Sequence, residues 1–331
     1  MRILYVDIDS MRPDHLGCYG YQRNTSPTID SIARESTRFT NIYTSDAPCL
    51  PSRTALWSGR NGYHTGVVGH GGTASQPYIE GKERGFGDVF RETGWMSALK
   101  RAGLRTATIS SFGHRHSAWH WYAGFDEIHN TGKAGMETAD EINRFALAWI
   151  EQNASEDDWF LHLNYWDPHT PYRTPKAYGN PFADDPLPDF YTQEMLDRCL
   201  ESYGTHSAFE PNHEHNPDWE TYPRVPMRIE SLDAAKMWVD GYDVGVRYMD
   251  DHLNEVVEAL KHLGVYDDLI VIISADHGEN LGELNVWGDH QTADQFTSRV
   301  PLIVRMPGVT DDARVDDGLH YHYDWGATLV E

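Results

Sequence analysis

Residues 269–279 read LIVIISADHGE, and their pattern is the clearest indication of the fold class. The apolar residues of LIVIIS follow one another without alternation, which is typical of a central strand in a parallel sheet covered by helices on both faces. The polar cluster ADHGE comes directly after the strand. Because ligands of open α/β sheets bind beyond the carboxyl ends of the strands, we expect functional side chains at this edge.

Further short apolar runs alternate with segments of helical periodicity. The predicted strands are 3–8, 106–109, 159–165, 269–273 and 300–304, and the predicted helices are 28–38, 53–58, 88–101, 138–152, 192–203 and 233–263. This alternation predicts an α/β fold with a mainly parallel central sheet. Asp9 follows the first strand as Asp276 follows the late one. Two carboxylates are therefore expected at one edge of the sheet.

The composition and net charge of the chain exclude several classes of protein. Of the 331 residues 40% are hydrophobic and 24% charged, as in folded and unlike disordered chains. Lys and Arg number 27 against 51 Asp and Glu, so the net charge is −24 and no nucleic-acid partner is expected. The sequence has no run of 18 apolar residues and no apolar core of a signal peptide. We therefore expect a cytoplasmic protein without a membrane partner.

The most specific motif is CLPSR at residues 49–53, followed by TALWSGR. The three cysteines, at positions 18, 49 and 199, form neither a disulfide framework nor a zinc signature. Taken alone, Cys49 would be interpreted as a small buried residue. With IDSMRPDHLGCYG at 8–20 and SADHGE at 274–279, however, the motif resembles the formylglycine-dependent sulfatases of the alkaline phosphatase superfamily.

The resemblance extends over residues 1–331 and implies an alkaline-phosphatase-like three-layer α/β/α sandwich. An irregular excursion is predicted at about 168–226, where Pro, Asn, Asp and aromatic residues are frequent. The family's smaller C-terminal subdomain is expected to be missing or truncated. The resemblance also implies that a maturation enzyme oxidises Cys49 to formylglycine, whose hydrate is the nucleophile, and that Arg53 binds this diol and a sulfate oxygen.

The resemblance implies one divalent cation, held by Asp9, Asp276, His277 and the modified Cys49. Carboxylate oxygens favour a hard cation, so Ca²⁺ is expected first, while the imidazole of His277 also suits Mn²⁺ or a variant Mg²⁺ site. Many sulfatases have Asp-Asp where this chain has Asp9-Ser10. This departure removes one negative ligand.

Three histidines are assigned by resemblance as catalytic. His169 lies in WDPHTPY, similar to the family's PHxPY segment, and His290 stands where many members place a Lys. The stretch SSFGHRH corresponds to GKWH, so that Ser111 replaces its Lys; His116 is favoured over His114 as the substitute for its His. An imidazole can donate a proton to a leaving group at neutral pH more readily than a Lys.

These observations predict a hydrolase of a small anionic sulfate monoester. The aromatic stretch 165–222 makes a sulfated carbohydrate one candidate, because Trp and Tyr stack on sugar rings, although such residues also serve packing. The alternatives are a phosphonate monoester or phosphodiester hydrolase of the same superfamily, and a sulfatase-like binding protein without catalysis. The sequence does not specify the oligomeric state.

Overall fold

A mixed sheet runs through the part of the chain that the structure, a computed structural model, describes: residues 1–77, 94–212, 223–310 and 312–330. Its eight strands are β1 Arg2–Ile8, β2 Thr37–Tyr43, β3 Arg105–Ile109, β4 Glu127–His129, β5 Trp159–Tyr165, β6 Leu269–Ser274, β7 Arg299–Arg305 and β8 Arg314–Tyr321. They lie in the order β4-β3-β5-β1-β6-β7-β2-β8. Adjacent strands are parallel except that β7 is antiparallel to β6 and β2. The predicted mainly parallel sheet is confirmed.

Helices cover both faces of this sheet. They are α1 Pro27–Ala33, α2 Cys49–Ser58, α3 Gly62–Thr65, α4 Trp95–Arg101, α5 Phe112–Arg115, α6 Ala139–Asn153, α7 Gln193–Leu200, α8 Leu232–His262, α9 Gln295–Ser298 and α10 Asp324–Val330. Phe160 of β5 packs on Trp95 of α4, while Tyr165, on the other face of β5, hydrogen-bonds Asn143 of α6 at 2.6 Å. α8 packs on α6, and α2 packs on α4 and α10, so the fold has three layers.

The strand register positions two carboxylates together. β1 lies between β5 and β6 and is parallel to both, with Asp7 opposite Ser274. Asp9 and Asp276 each come two residues after this pair, so both lie at the carboxyl edge of the sheet at the same level. This is the edge that the sequence predicts as functional.

The long helices have clear sequence signals at their starts. Thr138 and Glu141 form a capping box at the start of α6, and Ser231 accepts a hydrogen bond from the Ala234 N–H at the start of α8. Both helices lie within one residue of their predicted bounds. The helix predicted for 28–38 instead ends at Ala33, because the chain from Thr37 pairs with β7 and β8.

The irregular excursion contains little regular structure in its described part. Between 168 and 212 it has a short 3₁₀ turn at Lys176–Tyr178 and the helix α7. Residues 213–222, and residues 88–93 of the helix predicted at 88–101, lie outside the described residues. Among the described helices, none combines the length and apolarity that a membrane span requires.

Candidate active site

Cys49 is the first residue of α2 and lies at the centre of the candidate site. Every residue of this ten-residue helix is buried, and Cys49 is 1% exposed. Its Sγ lies 3.0 Å from Nε2 of His277 and 4.0 Å from Oδ1 of Asp9. The CLPSR motif, β1 and β6 therefore bring their polar residues to one point, although about 40 and 227 residues separate Cys49 from Asp9 and Asp276.

The donor atoms of Asp9, Cys49, Asp276 and His277 all lie within 4.8 Å of one another. The backbone N–H groups of Ser10 and His277 donate to Oδ1 of Asp276 at 3.3 and 2.9 Å, which fixes that carboxylate. Nδ1 of His277 is 2.8 Å from the carbonyl of Gly278, so Nε2 is the ring nitrogen turned toward the cluster. Two carboxylates, an imidazole and an oxidisable cysteine form a donor set that fits one divalent cation.

Arg53 follows Cys49 by one helical turn and neutralises the carboxylates. Its Nη1 donates to Asp9 at 2.8 Å and to Asp276 at 2.6 Å, and its Nε donates to Asp7 at 2.7 Å. The guanidinium is fully buried and lies over the ring of Phe112. Asp7 thus contacts the guanidinium and lies outside the set of possible cation donors.

Burial and mutual repulsion shift the acidities at the site. Burial raises the pKa of Cys49 well above its usual value, and the charges of Asp9 and Asp276 raise it further. Burial likewise raises the pKa of Asp276, which Arg53 only partly opposes. For Asp9, burial is outweighed by Arg53, His169 and His277, so its pKa is lowered. One guanidinium therefore does not keep both carboxylates ionised, and a bound cation would.

The catalytic histidines of the sequence prediction come together around this cluster. His290 stacks on His277 with ring centroids 4.4 Å apart and an interplanar angle of 8°. His169 lies 4.8 Å from His290 between centroids, and its Nε2 is 3.8 Å from Oδ1 of Asp9. His116 has a ring nitrogen near Sγ of Cys49. His114 is exposed, so His116 is the histidine of SSFGHRH that reaches the site.

His70 also lies at the site, although no sequence motif predicts it. A ring nitrogen of this residue lies within 4.8 Å of both Sγ of Cys49 and a ring nitrogen of His116. Burial, together with the neighbouring imidazoles, lowers the pKa of His70 to about 3 and that of His116 to about 2. Both rings are therefore neutral at neutral pH. The surrounding GVVGHGG carries no motif, so no local signal marks His70.

A buried carboxylate, Glu279, connects His290 with the excursion that follows β5. The hydroxyl of Tyr172 donates to Oε1 of Glu279 at 2.7 Å, and the N–H of Thr170 donates to Oε2 at 3.3 Å. Oε2 is also 3.9 Å from Nδ1 of His290. Tyr165, Trp166 and Tyr172 are fully buried, so these aromatic side chains of the stretch 165–222 lie in the interior of the fold.

Comparisons with known proteins identify the family. The family model described as Sulfatase matches residues 2–331. Iduronate 2-sulfatase of Homo sapiens is 25% identical over 94% of this chain and 60% of its own length. Choline-sulfatase of Rhizobium meliloti (strain 1021) is 23% identical over 86% of this chain and 58% of its own length. The chain thus spans about three fifths of the length of these curated relatives.

Solved structures share the fold. Phosphonate monoester hydrolase of Agrobacterium radiobacter superposes with a TM-score of 0.72 at 19% identity, covering 99% of this chain and 72% of that one. A protein solved in complex with its substrate, D-glucosamine-2-N,6-O-disulfate, gives a TM-score of 0.74 at 18% identity and covers 99% and 76%. At these identities the similarity establishes the three-layer architecture.

Proposed function

The chain belongs to the sulfatase family, and on this premise we propose that it hydrolyses a sulfate monoester with the formylglycine hydrate derived from Cys49 as nucleophile. The observation that supports the proposal is the position of Sγ of Cys49 at the start of α2, 3.0 Å from His277 and 4.0 Å from Asp9. The start of a helix favours an anion, because its backbone N–H groups and dipole present positive charge there.

Asp9, Asp276, His277 and the converted side chain of Cys49 would hold the divalent cation. Such a cation supplies Lewis-acid chemistry, polarising a sulfuryl oxygen and lowering the pKa of a coordinated hydroxyl. The two carboxylates favour Ca²⁺, and the imidazole of His277 favours Mn²⁺. Metal analysis of the protein purified without added metal distinguishes these ions.

The remaining polar groups serve binding and proton transfer. The guanidinium of Arg53 keeps Asp9 and Asp276 in place through hydrogen bonds of 2.8 and 2.6 Å. His290, supported by its stack on His277 and by the nearby Glu279, holds the proton that the departing alkoxide needs. His169 and His116 line the same space and are the groups that contact sulfuryl oxygens or accept the proton of the nucleophile.

The test is mass spectrometry of the Cys49 peptide combined with an aryl sulfate assay, on protein from a host with a maturation system. We expect the peptide to lose the thiol in favour of an aldehyde, and the Cys49→Ala variant to release no sulfate above background. Cys18 and Cys199 serve as internal controls that remain thiols. A fully active preparation whose Cys49 is an unmodified thiol would contradict the proposal.

Hydrolysis of a phosphonate monoester or phosphodiester is the second candidate activity. This candidate is supported by the fold shared with a phosphonate monoester hydrolase, and the neutral histidines of the site suit any singly charged ester. His70 and His116 are uncharged at neutral pH, and the guanidinium of Arg53 is already bonded to three carboxylates. A sulfate monoester, a phosphonate monoester and a phosphodiester all carry a single negative charge, whereas a phosphate monoester carries close to two. Relative rates on matched aryl esters of these four classes separate the candidates.

The alcohol part of the substrate is proposed to be a small sulfated sugar. The support comes from relatives at 25% and 26% identity, which are named iduronate 2-sulfatase and N-acetylgalactosamine-6-sulfatase. Assaying sulfate release from a panel of sulfated monosaccharides against sulfated polymers tests this proposal. Preference for polymers would contradict it.

A further inference from the structure

A second cluster of donor atoms lies at Cys49. Sγ of Cys49 and one ring nitrogen each of His70 and His116 lie within 4.8 Å of one another. This set shares Cys49 with the proposed cation site but contains none of its other donors, Asp9, Asp276 and His277. We call it the Cys49–His70–His116 cluster.

Separate elements position the two imidazoles. His70 lies in the segment after α3, and its Nε2 is 3.4 Å from the N–H of Leu50. His116 follows α5 and packs on Phe112 with ring centroids 4.8 Å apart. The rings of His70 and His116 are 4.5 Å apart at an angle of 43°. Both rings are therefore held in place by contacts beyond the cluster itself.

His116 supplies an independent observation. Its Nε2 is buried, and within the described ranges of the chain no hydrogen-bonding partner lies within reach of it. Buried polar atoms are normally satisfied, and leaving one unsatisfied costs about 1–3 kcal/mol. His116 therefore combines a buried Nε2, unpartnered in the described part of the chain, with a ring that offers a nitrogen to Sγ of Cys49 and to His70, as expected of an unfilled ligand position.

The chemistry of the donors differs between the two clusters. Asp9 and Asp276 are hard oxygen donors, whereas a thiolate and two imidazoles are the donors that Zn²⁺ and similar borderline cations prefer. We propose that, while Cys49 is still a thiol, the Cys49–His70–His116 cluster binds Zn²⁺ or a cation of that class. Binding converts the thiol to a metal-bound thiolate, and the displaced proton goes to solvent.

This inference concerns the unconverted chain, so it stands or fails separately from the proposed hydrolysis. Conversion of Cys49 to formylglycine removes the sulfur and with it the only thiolate donor of the cluster. Conversion therefore abolishes binding at this cluster. Cys49 would therefore be a ligand of Zn²⁺ or a similar borderline cation before maturation, and position 49 would be part of a hard-cation site after it.

The experiment is a Co²⁺ titration of the full chain produced without a maturation system. Co²⁺ replaces Zn²⁺ as a spectroscopic probe, and a thiolate ligand produces an intense near-ultraviolet charge-transfer band. We expect the band in the unchanged chain and its absence in Cys49→Ser. Because even changes outside the ligand shell cost about 10–100-fold in metal affinity, His70→Gln and His116→Gln should each weaken binding by about 100-fold or more. His64→Gln, at an exposed histidine, is the matched control and should bind as the unchanged chain does.

Two outcomes would overturn the assignment. One is the lack of any thiolate band. The other is a band that persists at unchanged affinity in both His70→Gln and His116→Gln, which would assign the cation to His277 and the carboxylates. Near-ultraviolet circular dichroism identifies a variant that has lost its fold. In that event, Zn²⁺ X-ray absorption on the unchanged chain decides: one sulfur and two imidazoles support the cluster, and an oxygen-rich shell with one imidazole refutes it.

Discussion

Arg53 joins three buried carboxylates, and this makes it the residue on which the site's electrostatics depend. Its side chain is fully buried, as are Asp9 and Asp276, and Asp7 is 1% exposed. Taking one partner from a buried ion pair leaves an uncompensated charge in a medium of low dielectric. A divalent cation at Asp9 and Asp276 would share the task of neutralising them. The role of Arg53 in stability should therefore depend on whether a cation is present.

Replacing Arg53 tests whether its contribution to stability depends on a bound cation. In protein treated with a chelator, Arg53→Met should lower the free energy of unfolding by about 3–5 kcal/mol, the range found when a buried pair loses one partner. Arg53→Lys keeps the charge but not the planar fork of donors, so it should recover only part of that loss. Denaturant titrations with and without added cation measure both effects. If Arg53→Met is as stable as the unchanged protein, Arg53 does not compensate the buried carboxylates.

The proposed role of His290 as proton donor can be tested by varying the leaving group of the substrate. If His290 donates the proton to the departing alkoxide, His290→Ala should slow esters with poor leaving groups by about 10²–10⁴-fold and activated aryl sulfates much less. Initial rates on aryl sulfates of graded phenol acidity give the comparison. His64→Ala, an exposed histidine, should leave the whole series unchanged. Equal losses across the series would remove the proton-donor role.

The sequence could predict those site residues that belong to motifs. Cys49, Asp9 and Asp276 stand in three separated motifs, and the strand ends that carry the carboxylates follow from hydrophobic runs. His70 could not be found in this way. Its proximity to Cys49 results from the path of the chain after α3, which no periodicity or spacing in GVVGHGG encodes.

At the scale of elements, a side chain of α8 caps the N-terminus of α1. Both oxygens of Asp250, on α8, accept backbone hydrogen bonds from Thr28 and Ile29 of α1, at 2.8 and 2.9 Å. Ser26, the residue before α1, makes no such side-chain bond. A carboxylate from one helix thus satisfies free N–H groups of another, which fixes their relative position. Burial nevertheless raises the pKa of Asp250 to about 7, against the effect of these hydrogen bonds.

The raised pKa predicts a pH dependence with a definite sign. The unfolded chain has an Asp pKa of about 3.9. Between pH 4 and 7, the folded state therefore holds a proton on Asp250 that the unfolded state lacks. Its contribution to stability is complete below about pH 4 and is lost as pH rises through about 7.

The measurement is the free energy of unfolding of the unchanged protein and of Asp250→Asn from pH 5 to pH 8. The difference between them should shift in favour of the variant as pH rises, because Asn cannot ionise. Asp267→Asn, at an exposed carboxylate just before β6, is the control and should track the unchanged protein. Parallel curves for the unchanged protein and Asp250→Asn would show that Asp250 is not protonated in the fold.

Which elements the sequence could predict depended on burial. Strands β1, β3, β5, β6 and β7 are largely buried and read as apolar runs, whereas β4 and β8 at the sheet edges and β2 beside β8 are partly exposed. In β8, RVDDGLHY alternates between exposed and half-buried positions and contains no apolar run. Such strands form because they pair with neighbouring strands, and a local apolar pattern does not predict them. β2 shows this directly, since pairing with β7 and β8 displaces the helix that local periodicity predicts at 34–38.

At the scale of the whole molecule, the net charge of −24 opposes the approach of an anionic substrate. The field acts over the Debye length, which is about 30 Å at 0.01 M salt and about 8 Å at 0.15 M. At low salt the negative surface should repel a sulfate ester before it reaches the site. At physiological salt most of this repulsion is screened, and short-range contacts at the proposed site are expected to decide binding.

The expected consequence is that kcat/KM for a simple aryl sulfate rises about 2- to 10-fold as salt increases from 0.01 to 0.15 M, a modest effect on the scale of electrostatic steering. An aryl sulfate with a trimethylammonium group on the ring has no net charge, so its kcat/KM should change much less. Comparing the two substrates separates long-range repulsion from any effect of salt on the enzyme itself. A fall in kcat/KM for the anionic ester would mean that local positive potential at the start of α2 and the cation outweighs the surface charge.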